Sequence, residues 1–147
     1  MKVRIEEGDN DEIVIRCKKQ TSDIFKLAYE IENLMLHDEL LLTVGNKEYY
    51  VKKSDILFFE TEDGKIIAHT SDGMYYSEYK LYELEKTLPA YFVRISKSCI
   101  VNIMKISSIN RNITGASKIT FSNTEKEVYC SRSYLKILKE KINEMRL

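Results

Sequence analysis

Apolar and polar residues alternate one by one in "KVRIE", residues 2–6, and again in "IVIRC", residues 13–17, with the turn-prone "GDND" between them. A period of two predicts strands, and two such runs around a turn predict a hairpin. The period then changes. In "TSDIFKLAYEIENLML", Ile24, Leu27, Ala28, Ile31, Leu34 and Met35 recur at steps of three and four behind Thr21 or Ser22 as a cap, which predicts an amphipathic helix. This β-β-α unit, residues 1–37, is too short for a secure core of its own. It therefore docks on the rest of the chain or mediates dimer contacts.

From Glu39 the pattern becomes strand-rich: "ELLLTV", a turn at Gly45-Asn46, then "EYYVKKSDILFFET". "EDGK" and "SDG" are turn signals on either side of "IIAHT", and "MYYSEY" completes a hairpin. Leu81, Leu84 and Leu88 share one side of a short helix that ends at Pro89, the only proline. Strands return in "YFVRIS", "CIVNIMKISSINRN" and "KITFSNTEKEVYCS". The chain closes on a helix in which Leu135, Leu138, Ile142 and Met145 repeat behind capping serines. The pattern predicts a mainly β protein with short helices, an α+β arrangement, with one domain over residues 38–147 behind the amino-terminal extension.

Composition narrows the class without changing that picture. At 147 residues, with 44% hydrophobic and 31% charged side chains, the chain reads as a soluble globular protein. No apolar run approaches the roughly 18 residues that span a bilayer. The acidic start lacks the apolar stretch of a signal peptide, so the expected location is cytoplasmic. Cys17, Cys99 and Cys130 fit neither a disulfide framework nor a zinc site, and read as reduced, buried thiols.

Charge is what changes the functional picture. Net charge is zero, yet residues 91–147 carry eleven cations against four acids, an excess of seven balanced by an equal acidic excess over residues 1–90. A chain polarised in this way can offer a positive face to nucleic acid. Lys65 follows the "EDG" turn, Arg94 and Lys97 flank a strand junction, and Arg132 and Lys136 open the last helix. Element ends let side chains project without disturbing packing, and Ser96, Ser98, Ser131 and Ser133 beside them can donate to phosphate. The alternative is a protein-interaction module whose basic half meets an acidic partner surface.

Catalysis finds little support. His37 and His69 are the only histidines, no nucleophile, phosphate-binding or metal-ligand motif surrounds them, and a Cys99–His69 dyad would need a base positioned by the fold. The expectation is no enzyme, no catalytic residue, no metal, no cofactor and no small-molecule substrate.

Three ordered blocks, "FFETEDGKIIAHT", "YFVRISKSCIVNIMKISSI" and "YCSRSYLKILKEKI", resemble the LytTR family of bacterial DNA-binding domains over roughly residues 38–147. The middle block is similar to that family's phrase Phe-x-Arg-x-His-basic-Ser-aromatic-aliphatic-Val-Asn, with Ser96 in place of the histidine and Cys99 in place of the aromatic. The resemblance implies small antiparallel sheets with short helices, and loops that enter successive major grooves and bend the duplex. It implies that Lys97 reads bases, that Gly64 and Lys65 form a second contact loop, and that Arg132 and Ser133 form a third. Arg94, Tyr129 and Lys136 take phosphate-side positions on the same grounds. The chain looks like the stand-alone members without a receiver domain. That likeness implies a homodimer, or paired monomers, on repeated half-sites of double-stranded DNA, with a membrane-protein inhibitor as a further partner.

Overall fold

The computed structural model describes residues 3–9, 12–34 and 38–147. Helix α1 (Ser22–Leu34) precedes β1 (Glu39–Val44), β2 (Lys47–Lys52), β3 (Phe58–Glu62), β4 (Lys65–His69), β5 (Met74–Ser77), α2 (Leu81–Thr87), β6 (Phe92–Ser96), β7 (Cys99–Asn102), β8 (Ile106–Asn110), β9 (Ser117–Phe121), β10 (Glu127–Cys130) and α3 (Arg132–Arg146). All strand pairs are antiparallel. Seven strands form one sheet in the order β2-β1-β5-β4-β3-β7-β6, and three form a second in the order β10-β9-β8.

The larger sheet is covered on both faces, which explains the continuous apolar runs in its central strands. Phe58 faces one way and Phe59 the other; Cys99 and Val101 oppose Ile100. On the first face Phe58, Val93, Ile95, Cys99 and Val101 pack with Ile119, Phe121 and Val128 of the smaller sheet and Leu138 and Met145 of α3. On the second, Phe59, Ile66, Ala68 and Ile100 pack under Leu81 and Leu84 of α2. Each fully buried aliphatic side chain contributes about 1.5 to 3 kcal/mol.

Two one-turn 3-10 segments, Lys53–Asp55 and Ile103–Lys105, break runs that alternation alone reads as continuous. The second lets the chain leave one sheet for the other. Asn102, fully buried, fixes that point: its Nδ2 donates to the Ile56 carbonyl at 3.0 Å and its Oδ1 accepts from the Met104 amide at 3.0 Å.

The expected amino-terminal hairpin is not formed: residues 3–8 and 12–17 include no strand. Lys2, Asn10 and Asp11 of that hairpin, together with Met35 and His37, lie outside the described residues. Val3, Ile5, Ile13 and Val14 are exposed, so the alternation meets no sheet that could bury its apolar side, and for the same reason Cys17 is exposed where burial was expected, while Cys99 and Cys130 are buried. The helix of the extension does form. Phe25 and Tyr29 pack against the first core, and the Tyr29 ring meets Tyr91 edge-on with centroids 4.7 Å apart.

Candidate nucleic-acid interface

Strand pairing decides which turns share an end of the molecule. β3 pairs with both β4 and β7, so the β3–β4 and β6–β7 turns leave the sheet side by side. The Thr61 amide joins them by donating to the Ser98 carbonyl at 2.9 Å. Beyond β6, the Ser131 amide donates to the Ile95 carbonyl at 2.9 Å and fixes the start of α3 beside the same turn. Three segments distant in sequence are thus held at one end by backbone hydrogen bonds.

The β3–β4 turn has two central residues, Asp63 at φ 51° and Gly64 at φ 75°, and both left-handed conformations match the hairpin turn that suits twisted strands. Lys65 follows, its Nζ 5.5 Å from the centre of the Tyr76 ring and its register partner Glu62 across the turn. That turn is electrostatically mixed. The β6–β7 turn differs. Its register shifts between Arg94 and Ser96, and the resulting carbonyls are gathered by one guanidinium: Arg94 donates to Ser96 O at 2.9 Å, Lys97 O at 2.8 Å and Glu85 of α2 at 3.0 Å. Arg94 is therefore a brace for the turn, which argues against the phosphate-side role implied by resemblance. The Lys97 side chain stands exposed at the apex with no partner among the described residues.

Arg132 and Ser133 are exposed at the start of α3, and Lys136, one turn further, is exposed on the same side of the helix. The expected serine cap is absent. The Ser131 hydroxyl lies 3.4 Å from the Ile95 carbonyl and serves the junction with β6, leaving the first amides of α3 without a side-chain cap. Such an end attracts anions. Tyr129, half exposed, lies on the outer face of the smaller sheet in a cross-strand row with Lys118 and Asn110. Nothing in the sequence marks Lys118, because only the β8-β9-β10 register aligns it with Tyr129. Lys97, Arg132 and Ser133 thus come together, with Lys136 and Tyr129 bordering them and Arg94 supporting them from behind, while the turn of Gly64 and Lys65 leaves the same end of the sheet with Lys65 directed away from them toward Tyr76 of β5.

The catalytic candidates are placed differently. Cys99 is buried opposite Glu60, and burial above all pushes its thiol well above the usual range, so the thiolate needed for attack is disfavoured. Burial also lowers the pKa of His69. Neutral His69 donates from Nε2 to Glu60 at 2.7 Å, stacks on Phe58, and leaves Nδ1 buried without a partner. An open cleft lined by Tyr49, Tyr50, Thr70, Asp72, Met104 and Arg146 includes neither residue. Among the described residues no His, Cys, Asp and Glu cluster could hold a metal ion, and no helix is long and apolar enough to cross a membrane.

Comparison with known proteins points the same way as the geometry. Residues 46–143 match the family model described as the LytTr DNA-binding domain. An uncharacterized HTH-type transcriptional regulator of Staphylococcus aureus (strain NCTC 8325 / PS 47) is 29% identical over 131 residues, covering 89% of this chain and 88% of the relative. Its counterpart in strain MRSA252 is 28% identical over the same coverage. A solved LytTr DNA-binding domain from Bacillus cereus superposes with a TM-score of 0.66 at 24% identity, covering 71% of this chain and 96% of that one. The relatives' names specify a helix-turn-helix, whereas no two of the described helices here are consecutive.

Proposed function

The chain belongs to the LytTR family of DNA-binding domains, and from that premise we propose that it is a sequence-specific transcriptional regulator whose turn-bearing end enters successive major grooves. One observation carries the reading: the side chains of Lys97 and Arg132, exposed and unpaired among the described residues, stand on a turn and a helix start locked to each other by the Ser131–Ile95 hydrogen bond. Rigid mounting reduces the ordering that binding would otherwise require. Lys97 reads a base edge; Arg132 and Ser133, with the uncapped amides of α3, hold the next contact; Lys136 and Tyr129 hold phosphates. Gly64 shapes the remaining turn, from which Lys65 reaches the duplex. Residues 38–147 form the DNA-binding unit.

The amino-terminal extension supplies the protein contacts in this reading. Val3, Ile5, Ile13, Val14 and Leu34 are all exposed, which supports a homodimer on repeated half-sites and a membrane-protein inhibitor that engages the same surface. Sedimentation of the full chain against a Val3→Asp, Ile5→Asp variant tests the dimer, and recovery of a membrane protein in pull-downs tests the inhibitor.

For DNA itself, a duplex selected from a random pool and its shuffled counterpart are titrated at several salt concentrations. The expected result is a clear preference for the selected duplex and a log–log slope near −0.9 per neutralised phosphate. Failure to bind any duplex at low salt would overturn the proposal and leave the interaction module, with an acidic protein as partner, as the reading to pursue.

A further inference from the structure

We propose that the β8–β9 loop, residues 111–116, is an additional DNA-contacting element, in which Arg111 holds a backbone phosphate and Ile113 enters the flanking minor groove as an apolar wedge. This rests on the DNA-binding reading above and extends it to a segment that no motif marked. Register places the loop. Cys130, the last residue of β10, faces Ser117, the first of β9, and Asn110, the last of β8, faces Lys118. The loop therefore leaves the smaller sheet at the end where Ser131 begins the passage into α3. The outer row Tyr129–Lys118–Asn110 leads from that junction to Arg111.

The loop is built rather than slack. The Ser117 hydroxyl oxygen, on a residue 1% exposed, accepts from the Asn112 amide at 3.1 Å. Asn112 Oδ1 in turn accepts from the amide and hydroxyl of Thr114, each at 3.2 Å. Gly115 sits so close that a Cβ there would lie 3.2 Å from Asn112 Nδ2. What this frame presents is Ile113 at 89% exposure, the most exposed large apolar residue in 38–147, beside Arg111, which has no partner among the described residues. A lone exposed aliphatic is ordinary. One held on a fixed apex, next to a free guanidinium and at the end already assigned to the duplex, suits the minor groove, where apolar wedges unstack a base step and arginine neutralises the narrow groove's walls.

The test compares wild type, Arg111→Ala, Ile113→Ser and, as a charge control at the opposite end, Lys105→Ala. Each is titrated on the selected duplex with long flanks and with the flanks trimmed, and bending is read by energy transfer between the duplex ends. Arg111→Ala should weaken binding to the long duplex about ten-fold and lower the salt slope by about one. Ile113→Ser should reduce the bend and leave the slope alone, while Lys105→Ala matches wild type. Both loop effects should vanish on the trimmed duplex, and all variants should melt together because the altered side chains lie outside the core. If wild type binds and bends the long duplex and both loop variants do the same, the loop assignment is overturned and the regulator reading stands; if wild type binds no duplex, both fall.

Discussion

At the end of the molecule that carries the β4–β5 turn, Lys126 donates from Nζ to the carbonyls of Thr70 and Gly73 at 2.8 and 2.7 Å, and Arg146 donates to those of Ile103 and Ile106 at 3.0 and 2.7 Å. At the end that carries the β3–β4 and β6–β7 turns, the side chains of Lys97, Arg111 and Arg132 have no partner among the described residues. The same residue types thus do two jobs. Where a cation is bound to backbone carbonyls it ties one element to another, and burial lowers the pKa of Lys126 against the opposing pull of Asp72. Where it is left free, its charge remains for a partner. A basic excess in sequence therefore says less about binding than the hydrogen bonds each cation already makes. Arg94 belongs to the bound class although it sits at the free end.

The sharpest way to break this comparison is at Lys97. Lys97→Ala should cost about 1 to 3 kcal/mol of DNA affinity and relax preference at one base pair, with an unchanged melting temperature; an equal loss on every sequence would make it a phosphate contact. Arg94→Ala comes next. Removing a half-buried guanidinium with three acceptors should cost about 2 kcal/mol of stability and also weaken DNA binding through the turn. Arg94→Lys should rescue neither fully, since one ammonium lacks the planar fork. Lys126→Met, at the other end, should cost about 1 kcal/mol in thermal or denaturant unfolding and leave affinity for the selected duplex as it was. Lost affinity would dissolve the distinction between the ends.

The smallest effect is on pH. His69 is held neutral in the fold mainly by burial, so its folded pKa lies below the ordinary 6.5. Below about 6.5 the unfolded chain binds the extra proton, and stability should fall as pH drops through that value. Melting scans of wild type and His69→Gln should diverge there. Because the charged groups acting on His69 are Glu60, Lys126 and Glu62, and Lys97 is not among them, the shift should appear in stability and be absent from Lys97-dependent base preference.

Much of the fold was legible because its elements announce themselves locally. The apolar spacing of α3, the "EDGK" turn and the paired runs of β9 and β10 each carry their own signal, and each formed. The amino-terminal hairpin did not, for alternation in "KVRIE" and "IVIRC" specifies a strand only where a second surface buries its apolar side. The passages through Lys53–Asp55 and Ile103–Lys105 were hidden for a different reason: a chain can change sheets within a strand-like run, and Asn102, whose partner Ile56 is far away in sequence, decides where. Lys97, Arg132 and the turn at Gly64 were singled out through family resemblance, and strand pairing with the Ser131–Ile95 hydrogen bond brings their segments to one end of the molecule. Arg94 was legible as a position but not as a role, because the carbonyls it gathers converge only after the register shift in β6. Arg111 and Ile113 carry no motif, and only pairing across the smaller sheet brings them near the others.

The brace at the β6–β7 turn separates what sets the backbone from what its apex displays. Arg94, Thr61 and the Ser131–Ile95 hydrogen bond set the path of the turn, and the side chain at position 97 takes no part in any of them. Exchanging that residue alone changes what the apex presents and leaves the fold untouched. A designer can therefore rewrite that position without first having to restabilise the protein.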